Sequence, residues 1–231
     1  MRLDIAVDGV SNAGKTTLIS ALMSTMDAQL LPDAGDLVSV FPPAPTSPER
    51  ARENERYCLR AEETRATLLT TAWRQRDICL LDRSALSTLA ITYGYATKYG
   101  PDIFAEQAAA MAGSVRTGRL SLPRAYLYLT ANPGASAARN TERAVPLDPF
   151  WMAPELLHRQ DVFYRTWMDL LPRGCGRTID SHAGRPAVLA EAQQAIAAFR
   201  TAEPAEFDPA ALLDRLAQCL LDEPAHAPAA R

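Results

Sequence analysis

Histidine and cysteine are scarce in this 231-residue chain, and no long apolar run occurs. The three histidines, His158, His182 and His226, are scattered without metal-ligand spacing, so neither a zinc site nor a Ser-His-Asp hydrolase is signalled. The four cysteines, Cys58, Cys79, Cys175 and Cys219, contain no C-x-x-C pair. They read as reduced thiols in a reducing compartment, with Cys79 inside an apolar run as a small core residue. No stretch reaches the roughly 18 apolar residues that a membrane-spanning helix needs. The opening segment, Met1 to Asp8, is too short and too interrupted by charge for a secretory signal, so the expected location is cytoplasmic. Surplus positive charge is also missing: the formal net charge is -3, which argues against a nucleic-acid polymer as partner. Hydrophobic residues make up 48% of the chain, enough for a sizeable core. The expected layout is one large α/β domain over residues 1–200, then a C-terminal helix and tail over 201–231.

Short apolar runs alternate with helical patterns. Leu3 to Val7 reads as a buried strand, Asp8 to Gly14 as a loop, and Lys15 to Met26 as a helix with Leu18, Ile19, Leu22 and Met26 on one face. Gln29 to Leu31 reads as a short strand. Four prolines between Phe41 and Pro48 exclude regular structure there. Glu49 to Arg76, without proline or glycine, reads as a long helix. Ile78 to Leu81 is a buried strand, and Ser84 to Tyr93 and Ile103 to Val115 are helices. Tyr126 to Leu129 is a further strand, with Asn132 and Pro133 as cap and first residue of the helix after it. Trp151 to Leu171 is mostly helical, Arg177 to Ile179 a last strand, and Pro186 to Phe199 a helix. Pro209 to Leu221 is an extra helix. The alternation implies a parallel sheet covered on both faces.

The sharpest motif is Gly9-Val10-Ser11-Asn12-Ala13-Gly14-Lys15-Thr16, which fits G-x-x-x-x-G-K-[ST] and continues into Thr17. Wrapping a polyphosphate in backbone N–H groups requires a tight path free of bulk, which Gly9 and Gly14 permit. The helix opening at Lys15 points its positive end at the anion. Lys15 adds a cation near the β- and γ-phosphates, and the Thr16 hydroxyl is a ligand for Mg²⁺. The loop lies between an expected strand and an expected helix, the setting this chemistry needs. The chain is therefore expected to bind ATP with Mg²⁺ in a three-layer P-loop NTPase fold.

A second element is Ile78-Cys79-Leu80-Leu81-Asp82, an apolar strand ending in a carboxylate. Asp82 would bind the metal or orient its water; helix capping is the other reading. Arg83, next in line, would sit at the carboxyl edge of the sheet, where open α/β sheets bind ligands.

With Asp82-Arg83-Ser84-Ala85-Leu86-Ser87 added to the loop from Gly9 to Thr17, the sequence resembles the thymidylate kinase and deoxynucleoside kinase superfamily. Thymidylate kinases show D-R-Y followed by serine, and deoxynucleoside kinases E-R-S with a serine three residues on. The D-R-S-x-x-S of this chain mixes the two. The order of elements matches from Leu3 to Phe199. The resemblance implies that Arg83 contacts the acceptor's reacting oxygen or its phosphate, and that an acidic residue after the second strand acts as base on a hydroxyl. Asp33, in Leu30-Leu31-Pro32-Asp33, sits near that place, with Asp36 as the rival. The R-E-P-G-like segment of thymidylate kinases is lacking. The resemblance further implies a homodimer and a helical lid, about residues 139–150, whose arginines neutralise the moving phosphoryl group. Arg139 and Arg143, four apart, would share one helix face. Because Ala144 to Pro149 is short, Arg159 or Arg165 would contribute as well.

The acceptor would be a small molecule, a nucleoside or nucleotide. Phe41, Tyr57, Trp73, Tyr93 and Tyr95 are candidates to line its pocket, and Arg60, Glu62 and Arg65 to hydrogen-bond it. Two other readings remain at this point: a kinase of another small molecule, such as an antibiotic, and a regulatory P-loop NTPase. The guanine-reading N-K-x-D is not present.

Overall fold

A computed structural model describes residues 2–37, 42–72, 76–144, 146–202 and 208–222. Strand β1 (Leu3–Gly9) leads through the loop into helix α1 (Lys15–Thr25) and strand β2 (Gln29–Leu31). A 3-10 turn (Ala34–Leu37) precedes the long helix α2 (Pro48–Ala72), which is followed by β3 (Ile78–Asp82). Helices α3 (Leu86–Tyr99) and α4 (Pro101–Arg116) lead to β4 (Ala125–Thr130). Then come α5 (Pro133–Thr141), a 3-10 turn (Pro149–Met152), α6 (Pro154–Leu170), β5 (Gly176–Asp180), α7 (Arg185–Thr201) and α8 (Pro209–Asp222).

The five strands form one parallel sheet in the order β2-β3-β1-β4-β5. β1 is central, with Ile5 registered against Leu80 on one side and Ala125 on the other. All seven of its residues are buried, which explains why it is mostly apolar rather than alternating, with Asp4 and Asp8 as buried exceptions. The strand period of two still sorts them by face. Ile5 and Val7 join Leu80, Leu127 and Ile179 in a core under α1 and α7. Ala6 joins Cys79, Leu81, Tyr126 and Tyr128 in a second core under α2, α3, α4, α6 and α8. The expected three layers, helices on both faces of a parallel sheet, are what forms.

Boundaries moved where proline and glycine were read too strictly. Pro48 starts α2 instead of belonging to the loop, since a first-turn proline loses no intrahelical bond. α3 runs six residues beyond the expected Tyr93, through Gly94. A Cβ at Gly94 would lie 3.0 Å from Leu156 Cγ and 3.3 Å from Leu156 O, so this glycine lets α6 pack closely. The start of α3 shifts from Ser84 to Leu86, because Ser84 is used elsewhere. In α8, Leu213, Leu216 and Leu220 belong to the same core as Phe104 and Trp167. Among the described residues no helix is long and apolar enough to cross a membrane.

Leu80 is fully buried and sits between β1 and β2. Leu80→Ala is expected to cost about 2–5 kcal/mol of stability, through lost transfer energy and the cavity left behind. Urea unfolding should show the midpoint falling with the slope unchanged.

Candidate active site

The carboxyl end of β1 carries the loop from Gly9 to Gly14. Gly9 has φ +152°, and a Cβ there would lie 2.6 Å from Leu129 O of the neighbouring strand. Gly14 has φ +100° and stands at the N-terminus of α1, which has no side-chain cap. The first amides of a helix have no intrahelical acceptor, so those of Lys15, Thr16 and Thr17 are available to an anion. Ser11, Asn12, Ala13, Gly14, Lys15, Thr16 and Thr17 all line one cleft of about 1230 Å³. Gly9 and Val10 form the stem: their carbonyls accept from Lys15 Nζ at 2.9 and 2.8 Å. Burial and then the charge of Arg83 push the Lys15 ammonium well below its ordinary range, with Asp82, Asp8 and Asp33 acting in the opposite sense. This ammonium lacks a full counter-charge, and a polyphosphate would provide one.

A clamp missed in the sequence joins β1 to the turn after β3. Asp8 is 2% exposed. Its Oδ1 accepts from the Ser84 amide at 2.9 Å and its Oδ2 from the Ser84 hydroxyl at 2.6 Å. The same hydroxyl accepts from the Leu86 amide at 3.2 Å and so starts α3. Burial raises the Asp8 carboxyl from its ordinary value, and the two Ser84 bonds partly offset this. Arg83, held between β3 and the clamp, has φ +63° and donates its amide to Val7 O at 3.2 Å. Left-handed backbone at a non-glycine residue is strained, on the order of 1–3 kcal/mol, and persists only where neighbours enforce it. The turn aims the guanidinium along the sheet edge, where its Nε meets Asp33 Oδ2 at 3.0 Å. The signal for Asp8 was present in the sequence, as a carboxylate flanking the loop, but nothing local named Ser84 as its partner.

Asp33 and Arg83 are thus brought together, while the rival Asp36 lies exposed on the 3-10 turn and also lines the cleft. Asp82 lines the cleft as well. Burial raises its carboxyl, opposed by Arg83 and Lys15.

The lid arginines reach the loop by different routes. Arg139 is in the last turn of α5; its Nη1 donates to Asn12 O at 2.9 Å. Arg143 lies beyond the helix end at Thr141, so the two do not share a helix face, yet its Nη1 donates to Asn12 Oδ1 at 3.2 Å. Asn12, at φ +58°, also donates Nδ2 to Ser136 O at 3.2 Å. Arg159 and Arg165 do not contribute. Arg159 lies 4.0 Å over the Tyr93 ring, and Arg165 pairs with Asp161 at 2.7 Å. Arg165 finds its partner one turn away on its own helix, and Arg159 finds its partner on the neighbouring α3.

Opposite the loop, α2 and α3 wall the cleft. Tyr57 and Tyr95 line it, whereas Tyr93 packs into the core against Phe104 and Phe163; Phe41 and Trp73 lie outside the described residues. Arg60 is exposed. Arg65 is buried behind the wall: it donates to Asp82 O at 2.9 Å and Leu31 O at 3.3 Å, and pairs with Glu62 at 3.4 Å. It ties two strand ends rather than facing a ligand. Glu62 and Glu55 line the cleft, almost fully buried, and burial pushes each carboxyl up to about 7, offset at Glu62 by Arg65 and at Glu55 by the Tyr95 hydroxyl. Sequence reasoning passed over Glu55 and the buried Gln160; the only trace was the seven-residue spacing of Glu55 from Glu62.

The Thr16 hydroxyl and Asp82 carboxylate are hard oxygen donors on the same cleft and fit Mg²⁺. Among the described residues no group of three or more His, Cys, Asp or Glu could hold a metal alone.

No protein-family model matches this sequence, and none of the curated proteins does. Among solved structures it is similar to those of deoxyadenosine kinase from M. mycoides. With products dCMP and a flexible dCDP bound, that structure has a TM-score of 0.59 and 13% identity, over 87% of this chain and 100% of that one. With dATP bound, the TM-score is 0.56 at 11% identity, over 84% of this chain and 100% of that one. With dCTP bound, it is 0.57 at 12%, over 84% and 99%. The fold is the α/β fold of P-loop NTPases that these kinases share.

The buried Glu55 carries a pH signature. Its folded value of about 7 exceeds the unfolded 4.5, so the folded state holds the proton more tightly and stability falls as pH rises between the two. Its facing groups are Tyr95 and Thr92 from α3, with Cys58 on its own helix. Glu55→Gln keeps the shape and cannot ionise. Its stability relative to wild type should improve from pH 5 to pH 8, by up to about 3 kcal/mol, read from thermal unfolding at both pH values.

Proposed function

We propose that this chain is an ATP-dependent phosphotransferase acting on the hydroxyl of a small, nucleoside-type acceptor. The observation that carries this reading is the Asp33–Arg83 ion pair at 3.0 Å, across the ends of neighbouring strands beside the phosphate loop. A nucleotide-binding switch needs no carboxylate there; an alcohol acceptor does, because its proton must leave as the new O–P bond forms. The cleft supports the same view. Its volume of about 1230 Å³ exceeds the range of about 300–1,000 Å³ usual for one ligand.

In this proposal the amides from Ser11 to Thr17 hold the polyphosphate, and Lys15 exchanges its two carbonyl bonds for phosphate oxygens. Asp33 accepts the hydroxyl proton as the acceptor oxygen bonds to the γ-phosphorus. The bond from that phosphorus to the bridging oxygen breaks, and ADP leaves. Arg83 orients Asp33 and offsets charge on the moving group, aided by Arg139 and Arg143. Thr16 and Asp82 would hold Mg²⁺, which would supply charge neutralisation for the phosphates.

Charge favours an alcohol over a monophosphate acceptor. Among the described residues lining the cleft, the cations are Lys15, Arg83, Arg139, Arg143 and Arg185, and none comes from α2 or α3. Those walls present Glu55 and Glu62 instead, which offer a second phosphate no counter-charge. The fold shared with deoxyadenosine kinase supports a nucleoside as acceptor. The four free cysteines suit work in the cytoplasm.

Incubation with Mg·ATP and a mixture of nucleosides and nucleoside monophosphates, with products identified by mass, tests the reading. Phosphorylated nucleosides are expected. ATP hydrolysis that is indifferent to every acceptor would overturn it. Lys15→Ala should abolish turnover. Asp33→Asn should lower kcat by about 10²–10⁴ with the KM for ATP nearly unchanged, a split that a merely structural Asp33 would not produce.

A further inference from the structure

The motif G-x-x-x-x-G-K-[ST] leaves the side chain at position 12 open. In this chain Asn12 is the residue through which the phosphate loop meets the lid. Its carbonyl accepts from Arg139 Nη1 at 2.9 Å, and its Oδ1 accepts from Arg143 Nη1 at 3.2 Å. Its Nδ2 has three acceptors in reach: Ser136 O at 3.2 Å, Asn140 Oδ1 at 3.3 Å and Met152 Sδ at 3.6 Å. Ser136, Arg139 and Asn140 belong to α5, Arg143 follows it, and Met152 ends the 3-10 turn that leads into α6. A single residue of the loop therefore holds both legs of the lid.

Asparagine suits this place. A guanidinium can only donate and a backbone carbonyl can only accept, so the side chain between Arg143 and Ser136 O must present an acceptor and a donor at once. Asparagine also tolerates left-handed backbone, and Asn12 has φ +58°. Asn140 repeats the device on the lid side. Its Oδ1 accepts from the Leu147 amide at 3.0 Å and its Nδ2 donates to Leu147 O at 3.4 Å, which closes the loop that carries Arg143. A guanidinium has more N–H donors than these bonds use, so both arginines, which line the cleft, keep donors for a phosphate.

We propose that Asn12 is a positioning residue for the lid: through contacts made within the chain alone it holds Arg139 and Arg143 beside the phosphate loop, so that a polyphosphate meets them already in place. The use of this latch in phosphoryl transfer rests on the reading of the cleft as a phosphotransferase site. Asn12 acts through the two arginines. Without its side chain the nucleotide itself must gather the lid, and its apparent affinity falls with the fraction of molecules whose lid is closed.

The test is limited trypsin digestion of the full chain, with the cuts identified by mass and a turnover assay run beside it. Trypsin must take the arginine side chain into its own pocket, so cleavage after Arg143 reports release from Asn12. Asn12→Gly removes the side chain and keeps the backbone, because glycine adopts φ +58° without strain. Without nucleotide, the variant should be cut after Arg143 at least about tenfold faster than wild type, the worth of one or two hydrogen bonds. Cleavage after Arg116, at the exposed end of α4, should stay the same. The KM for ATP should rise by a similar factor. Asn140→Ala should also speed the cut after Arg143, and the double variant should fall short of the product of the single effects by at least about twofold, as residues sharing one network do. An unchanged rate after Arg143 in Asn12→Gly, an equal rise after Arg116, single effects that multiply, or an unchanged KM in an active enzyme would overturn the proposal. Should Asn12→Gly fail to fold, Asn12→Ala takes its place with the same readings. Faster cleavage after Arg143 without phosphoryl transfer to any acceptor would sink the kinase reading and leave the latch standing. Transfer with unchanged cleavage would do the reverse.

Discussion

The site depends on one buried carboxylate. Asp8, the last residue but one of the central strand, is 2% exposed and grips both the amide and the hydroxyl of Ser84. A carboxylate at such depth is stable only if its oxygens are bonded, and Ser84 is what bonds them. The grip ties the phosphate loop, which begins at the next residue, to the turn after β3. It also holds Arg83 in left-handed backbone that the residue would not adopt unaided. The proposed phosphate-binding half of the cleft and the proposed transfer centre are therefore one rigid unit built across two adjacent strands.

Around that unit the charges are divided by side. The loop, the end of α5 and the start of α7 bring Lys15, Arg139, Arg143 and Arg185 to the cleft. The walls from α2 and α3 bring Glu55 and Glu62, buried enough that both hold protons near neutrality. In the proposed reading a polyphosphate would be drawn to one side only. An uncharged partner suits the other, where the lining carboxyl groups offer an anion no counter-charge. Asp33 and Arg83 stand at the boundary, and their ion pair joins the two halves.

The strain, the unfilled bond at Glu55 and the loosely compensated Lys15 all lie on this cleft. The sheet beneath is regular and all parallel, and its central strands are buried on both faces. A scaffold of that kind absorbs the local costs, which is why they persist without distorting the strands.

The glycine-framed loop between strand and helix, the strand ending in Asp82 and the alternation of strands and helices were legible in the sequence, because each depends on a local pattern of glycine spacing and apolar runs; the shared helix face expected for Arg139 and Arg143 did not form, because α5 ends at Thr141. The strand order, the Asp8–Ser84 clamp across 76 residues, the Asp33–Arg83 pair and the diversion of Arg159 and Arg165 were not legible. Each is a choice of partner among many residues of the right type, and no local pattern encodes it. The sequence by itself determined which chemical groups are present and which backbone they sit on. Only the tertiary structure decided which of them meet, because burial turns a common aspartate or glutamate into one that must find a partner.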